Sequence, residues 1–225
     1  MPVALITGAS KGFGLAVARA LAERGWSLVL DARHSAALEQ AATGLDATVV
    51  PGDVADPVHR AELVAAVRDR RLDLLLNSAS TLGPGLQPMA TYDLGALRRV
   101  FEVDVLAPLA LIQQLLPLLR GGGGTVVNVS SDAAVEAYEG WGAYGSAKSA
   151  LDQLSAVLAV EQPGVRWYAL DPGDMRTDLH QQAFPGQDIS DRPEPATVVP
   201  AVLRLLDSRP ASGRYRAGDL LGAAR

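Results

Sequence analysis

The sequence predicts a single doubly wound α/β domain, in which helices cover both faces of a parallel sheet. Short runs of Val, Leu, Ile and Ala alternate with longer amphipathic segments, and a glycine-rich turn follows the first apolar run. The 225 residues are 48% hydrophobic but only 5% aromatic, a composition that suits one aliphatic core. Single α/β domains commonly have about this length, so we expect one domain over residues 1–225.

Six continuous apolar runs predict strands that are buried on both faces, as is typical of a parallel sheet. They cover residues 3–7, 26–30, 47–50, 72–77, 125–130 and 165–170. A short last strand is expected in SGRYRAG, near the end of the chain. Helical patterns cover residues 12–24, 91–119 and 144–160, and another begins near residue 196. In such a sheet a ligand binds beyond the carboxyl ends of the strands.

Composition excludes several classes of function. A net charge of −5 without a long basic run makes nucleic acid and anionic membranes poor partners. The absence of cysteine excludes disulfides and fits a reducing cytoplasm, which is the expected location. His34, His59 and His180 are far apart in sequence, so no metal site is expected. Acids, glutamines and prolines interrupt residues 100–119, which are therefore not expected to span a membrane.

The turn after the first strand predicts a dinucleotide site. It reads Thr7-Gly8-Ala9-Ser10-Lys11-Gly12-Phe13-Gly14 and leads directly into a helix. Glycines allow a tight turn and a close approach of the backbone to a pyrophosphate, whose charge a helix N-terminus favours. The expected cofactor contacts are Gly8, Ser10, Lys11, Gly12, Phe13 and Gly14.

Tyr144 and Lys148 are four residues apart and share one face of the predicted helix. Lowering a tyrosine pKa from about 10 by three units needs roughly 4 kcal/mol. One cation about 4 Å away supplies about that much at an effective dielectric near 20. Ser131 follows the strand at residues 125–130 and can donate a second hydrogen bond to the same substrate oxygen. This convergence predicts carbonyl reduction or alcohol oxidation, although the spacing alone also fits a half-buried tyrosine beside a solvated lysine.

Five motifs in this order resemble the short-chain dehydrogenase/reductase family, classical type. They are Thr7-Gly8-x-x-x-Gly12-x-Gly14, Asn77-Ser78-Ala79, Ser131 with Tyr144 and Lys148, Pro172-Gly173, and Thr177. The resemblance covers nearly the whole chain and implies a Rossmann-like, seven-stranded parallel sheet with a nicotinamide cofactor. It also implies that Tyr144 is the acid/base, that Lys148 binds the nicotinamide ribose, and that Ser131 orients the oxygen of a small carbonyl or alcohol substrate.

The resemblance implies further cofactor contacts: Asp53 and Val54 at the adenine, Asn77 and Ala79 beside the nicotinamide ribose, and Pro172, Gly173 and Thr177 over the nicotinamide. Apart from the resemblance, Asp53 also fits an N-cap or turn residue before Pro57. Two residues depart from the usual Asn-Asn-Ala-Gly, since Ser78 and Ser80 replace the second Asn and the Gly.

The cofactor is expected to be NADP(H), with NAD the weaker alternative. Asp31 is near the place of an acid that binds the ribose 2′-hydroxyl of NAD. When the chain is matched to the family, however, that place falls at Ala32. Arg33 follows it and Lys11 lies in the glycine turn, so two cations are available for a 2′-phosphate. A surface arginine and lysine remain the alternative interpretation.

Asp104 stands where many family members have an asparagine that supports a proton path to the lysine. One hypothesis is that its carboxylate keeps Lys148 charged and so helps to keep Tyr144 acidic. An aspartate that only makes local hydrogen bonds is an equally open interpretation.

The substrate region is less determined by the sequence. Glu136, Tyr138 and Trp141 line either the pocket, where the acid favours a polar or cationic substrate, or a solvated loop. Residues 175–195 are expected to form a mobile substrate lid. Within it, His180 and Phe184 are possible substrate contacts, with a surface histidine and a packed phenylalanine as the alternatives.

The predicted function is NADP(H)-dependent hydride transfer between the nicotinamide and a carbonyl or secondary alcohol. An isomerase or dehydratase that keeps a bound cofactor is one alternative, and a cofactor-sensing binding protein without turnover is another. Helices 91–119 and 144–160 carry more apolar residues than one core face needs, so a homodimer or homotetramer is expected.

Overall fold

A computed structural model describes residues 1–222, so the last three residues of the predicted domain 1–225 lie outside the described residues. In the described part, seven parallel strands form one sheet in the order β3-β2-β1-β4-β5-β6-β7. The strands are β1 (Val3–Ile6), β2 (Ser27–Ala32), β3 (Ala47–Pro51), β4 (Leu74–Asn77), β5 (Thr125–Val129), β6 (Arg166–Asp171) and β7 (Gly213–Arg216). The predicted fold class is confirmed.

Helices follow the strands and cover both faces of the sheet. They are α1 (Gly12–Glu23), α2 (Ser35–Ala41), α3 (Pro57–Val67), α4 (Leu94–Phe101), α5 (Ala107–Gly122), α6 (Gly142–Glu161), α7 (Asp178–Ala183), α8 (Val199–Ser208) and α9 (Ala217–Gly222). Short 3₁₀ turns lie at Met89–Thr91, Asp132–Ala134 and Pro195–Thr197.

Two hydrophobic cores lie on opposite faces of the sheet because neighbouring strand residues point in opposite directions. In β1, Ala4 and Ile6 pack into the core that contains α1 and α8. Val3 and Leu5 pack into the other core, with side chains of α3 and α5. Burial on both faces explains why the strands read as continuous apolar runs.

The predicted helix over residues 91–119 is divided into α4, a π-helical segment at Glu102–Leu106, and α5. It begins later than predicted because Asp93 caps α4, accepting a hydrogen bond from the N–H of Ala96 at 2.7 Å. Among the described residues, Leu94–Gly122 is the one helical stretch with the length and apolarity of a membrane span, at a mean hydropathy of 1.4. Half of its most apolar window is buried, and Leu111 and Leu115 pack in the second core.

Candidate active site

One cleft of about 490 Å³ opens at the carboxyl ends of the strands. It includes the point between β1 and β4 where the strand order reverses, the usual ligand position in such sheets. Most residues assigned to the site from sequence line this cleft. They are Gly8, Ser10, Lys11, Gly12, Phe13, Arg33, Asp53, Val54, Ala79, Ser131, Tyr144, Lys148, Pro172, Gly173 and Thr177. The cleft-lining residues do not include Gly14, Asn77 or Asp104, whose places are described below.

The glycine turn has the geometry of a phosphate cradle. Gly8 and Gly12 have φ of +67° and +57°, values that side-chain-bearing residues rarely adopt. Gly14 serves packing instead, since a Cβ there would lie 2.5 Å from the carbonyl oxygen of Gly8. The N-terminus of α1 has no side-chain cap and no acid in its first turn, so its N–H groups are available to an anion. These residues fit the pyrophosphate of a dinucleotide.

Asp31 borders the cleft, but its carboxylate is already engaged by protein groups. Its carboxylate is 1% exposed and its Oδ1 lies 2.6 Å from Nε2 of His59. The N–H of Gly8 also donates to it, so Asp31 fixes the glycine turn. This geometry agrees with the sequence argument that Asp31 is not the cofactor-selecting acid.

At the end of the cleft that the glycine turn lines, some cationic side chains are already paired with carboxylates. Arg33 is exposed and lines the cleft, whereas Lys11 Nζ lies 2.6 Å from Asp178 Oδ2. Arg99 of α4 also lines the cleft and forms a short ion pair with Asp53. Sequence reasoning missed Arg99 because it lies in a helix distant in sequence from the other cofactor residues.

Asp53 lines the cleft and also makes the turn before α3, where its Oδ1 accepts from the N–H of Ala55 at 2.9 Å. The N-cap itself is Asp56, which accepts a hydrogen bond from Val58 N–H at 2.9 Å. Asn77 is buried below the cleft, and its amide donates to Asn128 Oδ1 at 2.7 Å. The adjoining backbone is held by Thr7, whose Oγ1 accepts from the N–H of Ala79 at 3.1 Å.

Ser131, Tyr144 and Lys148 meet at the other half of the cleft. Lys148 Nζ donates to the carbonyl oxygen of Val129 at 2.9 Å and lies 5.4 Å from the centroid of the Tyr144 ring. Ser131 donates to Asp132 Oδ1 at 3.0 Å and accepts from the N–H of Ala133 at 3.2 Å. The i,i+4 pair in α6 therefore shares a helix face, as the spacing predicts.

The prediction that Tyr144 is unusually acidic is wrong for this structure. Burial raises the pKa of Tyr144 above its ordinary value of 10, and the Asp104 charge raises it further. Lys148 lowers that pKa, as predicted, and so do hydrogen bonds from Ser80 and Ser131, but burial dominates. The sequence-based argument included the attraction between the lysine ammonium and the phenolate. It did not include the free-energy cost of burying that phenolate beside apolar side chains.

Asp104 lies in the π-helical segment and is wholly buried behind Lys148. Its Oδ1 is 3.1 Å from Lys148 Nζ. Burial lowers the pKa of Lys148, but the charges of Asp104 and Tyr144 outweigh it and raise that pKa above its ordinary value. Burial also raises the pKa of Asp104 above its ordinary value, and the charge of Lys148 opposes that rise. The 3.1 Å contact favours the hypothesis that Asp104 keeps Lys148 charged. It also adds Ser80, which donates a short hydrogen bond to Asp104 and which sequence reasoning noted only as a departure.

The substrate half of the cleft has an aromatic wall and two carboxylates. Trp141 packs edge-on against Tyr144 at 5.7 Å and lies 6.2 Å from Phe184. Asp132 accepts a hydrogen bond from the Tyr138 hydroxyl at 3.0 Å, and Asp174 lines the same region. Glu136 is exposed and is not among the cleft-lining residues, which agrees with the solvated-loop interpretation of that residue.

The predicted lid contains more regular structure than its sequence indicated, because Asp178–Ala183 forms α7. Thr177 caps this helix by accepting from His180 N–H at 3.2 Å, and His180 and Phe184 both line the cleft. Across the described residues, no group of three His, Asp or Glu side chains is arranged to hold a metal ion.

The model of the family described as "short chain dehydrogenase" matches residues 2–188 of the sequence. The chain belongs to the short-chain dehydrogenase family. Sepiapterin reductase of Rattus norvegicus is 34% identical to this short-chain dehydrogenase over 201 residues, which cover 80% of this chain and 77% of the relative. The uncharacterized oxidoreductase YciK of Escherichia coli is 31% identical over 225 residues, covering 94% and 89% of the two chains.

Solved structures also resemble this short-chain dehydrogenase along nearly its whole length. A short-chain dehydrogenase of Shigella flexneri complexed with NADP superimposes with a TM-score of 0.90 at 29% identity. The superposition covers 96% of this chain and 97% of that one. The family assignment therefore agrees in sequence and in fold, and it identifies the chain as a member of an oxidoreductase family.

Proposed function

We propose that this protein is an NADP(H)-dependent reductase of ketones or aldehydes that also oxidises secondary alcohols. The observation that carries the proposal is the convergence of Ser131, Tyr144 and Lys148 on the cleft that the glycine turn also lines. A hydroxyl, a phenol and an ammonium around one space suit a carbonyl oxygen that gains a proton as its carbon gains a hydride.

In this proposal the nicotinamide supplies the hydride in reduction and accepts it in oxidation. Tyr144 gives its proton to the carbonyl oxygen, while Ser131 donates a hydrogen bond to that oxygen. Lys148 stabilises the phenolate that remains. Because burial keeps the pKa of Tyr144 high, the phenol is protonated at neutral pH and ready to act as an acid. Oxidation needs the phenolate, so its rate is expected to rise toward alkaline pH.

The preference for NADP(H) is supported by charge at the adenosine end. Arg33 is exposed at the end of β2, where a guanidinium can bind a 2′-phosphate in bidentate fashion. Asp31, the nearby acid, is buried and paired with His59, and so does not compete with that phosphate. The NADP complex of the Shigella flexneri relative adds further support.

The substrate half of the cleft supports an uncharged or cationic substrate with an apolar, flat body. The rings of Trp141 and Phe184 offer an aromatic wall, and the carboxylates of Asp132 and Asp174 oppose a bound anion. Sepiapterin, the compound in the name of the rat relative, therefore belongs in the first substrate panel.

The test is a panel of neutral, amine-bearing and carboxylate-bearing carbonyl compounds, assayed with NADPH and NADH side by side. We expect NADPH turnover, with carboxylate-bearing compounds the poorest substrates. Tyr144→Phe should lower kcat by about 10²- to 10⁴-fold, because the proton donor is lost. Tyr215→Phe is the matched control, since Tyr215 donates to Ala211 in the β7 region. Full turnover by Tyr144→Phe would overturn the proposed function.

A further inference from the structure

Five aspartates line the cleft, and four of them already face a basic side chain of the protein. The paired aspartates are Asp31 with His59, Asp53 with Arg99, Asp174 with Arg192, and Asp178 with Lys11. The fifth, Asp132, directly follows Ser131 and lies in the substrate half of the cleft. Within residues 1–222, which the structure describes, Asp132 has hydrogen-bond partners but no ion pair. Its carboxylate is thus available to a cation that the substrate brings.

Neutral donors hold the Asp132 carboxylate in a defined orientation. Its Oδ1 accepts from the N–H of Ala133 at 2.8 Å and from Ser131 Oγ at 3.0 Å. Its Oδ2 accepts from the Tyr138 hydroxyl at 3.0 Å. Since a carboxylate has about four lone-pair sites, these bonds leave room for a further donor. A group that is already oriented loses little conformational freedom when a ligand binds to it.

Ser131 connects this carboxylate to the reacting carbonyl group. Its hydroxyl carries a single proton, so it cannot donate to Asp132 and to a substrate oxygen at the same time. When Ser131 donates to the substrate oxygen, Asp132 Oδ1 loses that donor and can accept another from the substrate. Ser131 Oγ lies 3.0 Å from Asp132 Oδ1 and would lie about 2.8 Å from the substrate oxygen. The substrate oxygen and the carboxylate are then at most about 6 Å apart, so the donor belongs near the carbonyl group.

We infer that Asp132 selects substrates that carry a protonated amine on the first or second carbon from the carbonyl group, together with the corresponding amino alcohols. This inference rests on the proposed function and narrows its substrate class. The ammonium donates a charge-assisted hydrogen bond to Asp132 while the carbonyl oxygen faces Ser131 and Tyr144. The rings of Trp141 and Phe184 line the same half of the cleft and suit the apolar remainder of the substrate.

A purely structural role for Asp132 predicts a different kinetic result. The ammonium is not part of the reacting group, so its contact with Asp132 is made both in the bound ground state and in the transition state. Such a contact lowers KM more than it changes kcat. If Asp132 only held the loop, its loss would affect charged and uncharged substrates by the same factor. The ratio of their kcat/KM values therefore separates the two roles.

The test compares β-dimethylaminopropiophenone with its uncharged carbon isostere, in which CH replaces NH⁺, at neutral pH and with the nicotinamide cofactor that gives the higher rate. The wild-type protein should prefer the ammonium ketone by about tenfold or more in kcat/KM, mainly through KM, because the isostere cannot make the hydrogen bond. Asp132→Asn keeps the shape of the side chain without its charge. It should bring the ratio close to unity and leave kcat/KM for the isostere within about threefold of wild type.

Glu136→Gln is the matched control, because it removes one negative charge from the same loop outside the cleft. It should leave the ratio unchanged. A second measurement needs no variant and serves if Asp132→Asn does not fold. Raising the ionic strength should reduce the wild-type preference for the ammonium ketone, because salt screens a partly exposed charge pair, and should not change kcat/KM for the isostere.

Equal kcat/KM values for the two ketones in the wild-type protein would overturn the inference, and so would a preference that persists in Asp132→Asn. In both cases turnover of either ketone leaves the proposed function standing. If no carbonyl compound of the panel is turned over, the proposed function fails and the inference with it.

Discussion

Nε2 of His59 lies 2.6 Å from Oδ1 of Asp31, and both side chains are almost wholly buried at the end of β2. The hydrogen bond to Asp31 raises the pKa of His59 above 6.5, against the opposing effect of burial. Burial raises the pKa of Asp31 above 3.8, and His59 opposes that rise. The pair is therefore suited to hold a proton near neutral pH, directly beneath the glycine turn.

This pair makes stability depend on pH. Because the pKa of His59 is raised, its protonated form stabilises the folded state fully below about pH 6.5. This stabilisation is lost as pH rises through the pKa that His59 has in the folded state. The raised pKa of Asp31 also makes the folded state less stable as pH rises, beginning near pH 3.8. Urea unfolding of the wild-type protein should thus show a midpoint that falls as pH rises above neutrality.

His59→Ala leaves the Asp31 carboxylate buried without its cation and should lower the free energy of unfolding by about 3–5 kcal/mol at pH 6. The exposed His34 offers a control, because His34→Ala should stay within about 0.5 kcal/mol of wild type. A midpoint in His59→Ala equal to that of wild type at pH 6 would contradict this account.

Arg33 should decide between the two nicotinamide cofactors. Arg33→Ala is expected to raise the KM for NADPH by about tenfold or more, which corresponds to losing one charge-assisted contact of about 1.5–3 kcal/mol. The KM for NADH should change little, because NADH has no 2′-phosphate. Initial rates with both cofactors check this, and an equal rise in the two KM values would show that Arg33 does not recognise the phosphate.

Asp178 should weaken NADPH binding by holding Lys11. The two side chains are more than 60% exposed, and a surface pair of this kind is worth about 0–1 kcal/mol, so Lys11 can change partner. Asp178→Asn is therefore expected to lower the KM for NADPH by about twofold to fivefold at low ionic strength, with a smaller effect in high salt. Asp207→Asn, at the exposed pair with Arg24, is the control. An unchanged KM at every salt concentration would show that Lys11 does not reach the phosphate.

The strands of the fold were predictable from the local pattern of apolar residues in the sequence. Buried parallel strands read as continuous apolar runs, so six strands were predicted within about two residues of their observed ends. The division of residues 91–119 was not predictable in the same way. The π-helical segment Glu102–Leu106 has i→i+5 hydrogen bonds, and no residue pattern in the sequence marks that local change.

Parts of the site were predictable where the sequence spacing of two residues determines their relative position. Contacts between elements that are distant in sequence were not predictable in this way. Tyr144 and Lys148 share a helix face because they are four residues apart. The contact between Ser80 and Asp104 depends on how β4 and the π-helical segment approach each other, which no local pattern records. The sign of the Tyr144 pKa shift also depends on burial, a property of the packed structure.

Arg214 of β7 joins three elements of the site and was not suggested by the sequence. Its Nη2 donates to the carbonyl oxygen of Ser131 at 2.9 Å and to Asp171 Oδ2 at 3.1 Å, while its Nε donates to Asp152 at 3.0 Å. Asp171 in turn accepts from the N–H of Gly173 at 3.0 Å. One guanidinium thus positions Ser131 and the turn that follows β6.

Arg214→Lys should disturb both chemistry and stability, because one ammonium cannot reproduce a planar fork that serves three acceptors. We expect kcat to fall by about tenfold through misplacement of Ser131, and the free energy of unfolding to fall by about 1–3 kcal/mol as Asp152 and Asp171 lose hydrogen bonds. Steady-state kinetics and urea unfolding measure the two effects.

Arg216→Lys is the matched control, since Arg216 is exposed and its Nε lies 3.8 Å from Asp171. Wild-type kcat together with a wild-type unfolding midpoint would show that this guanidinium does not position the site.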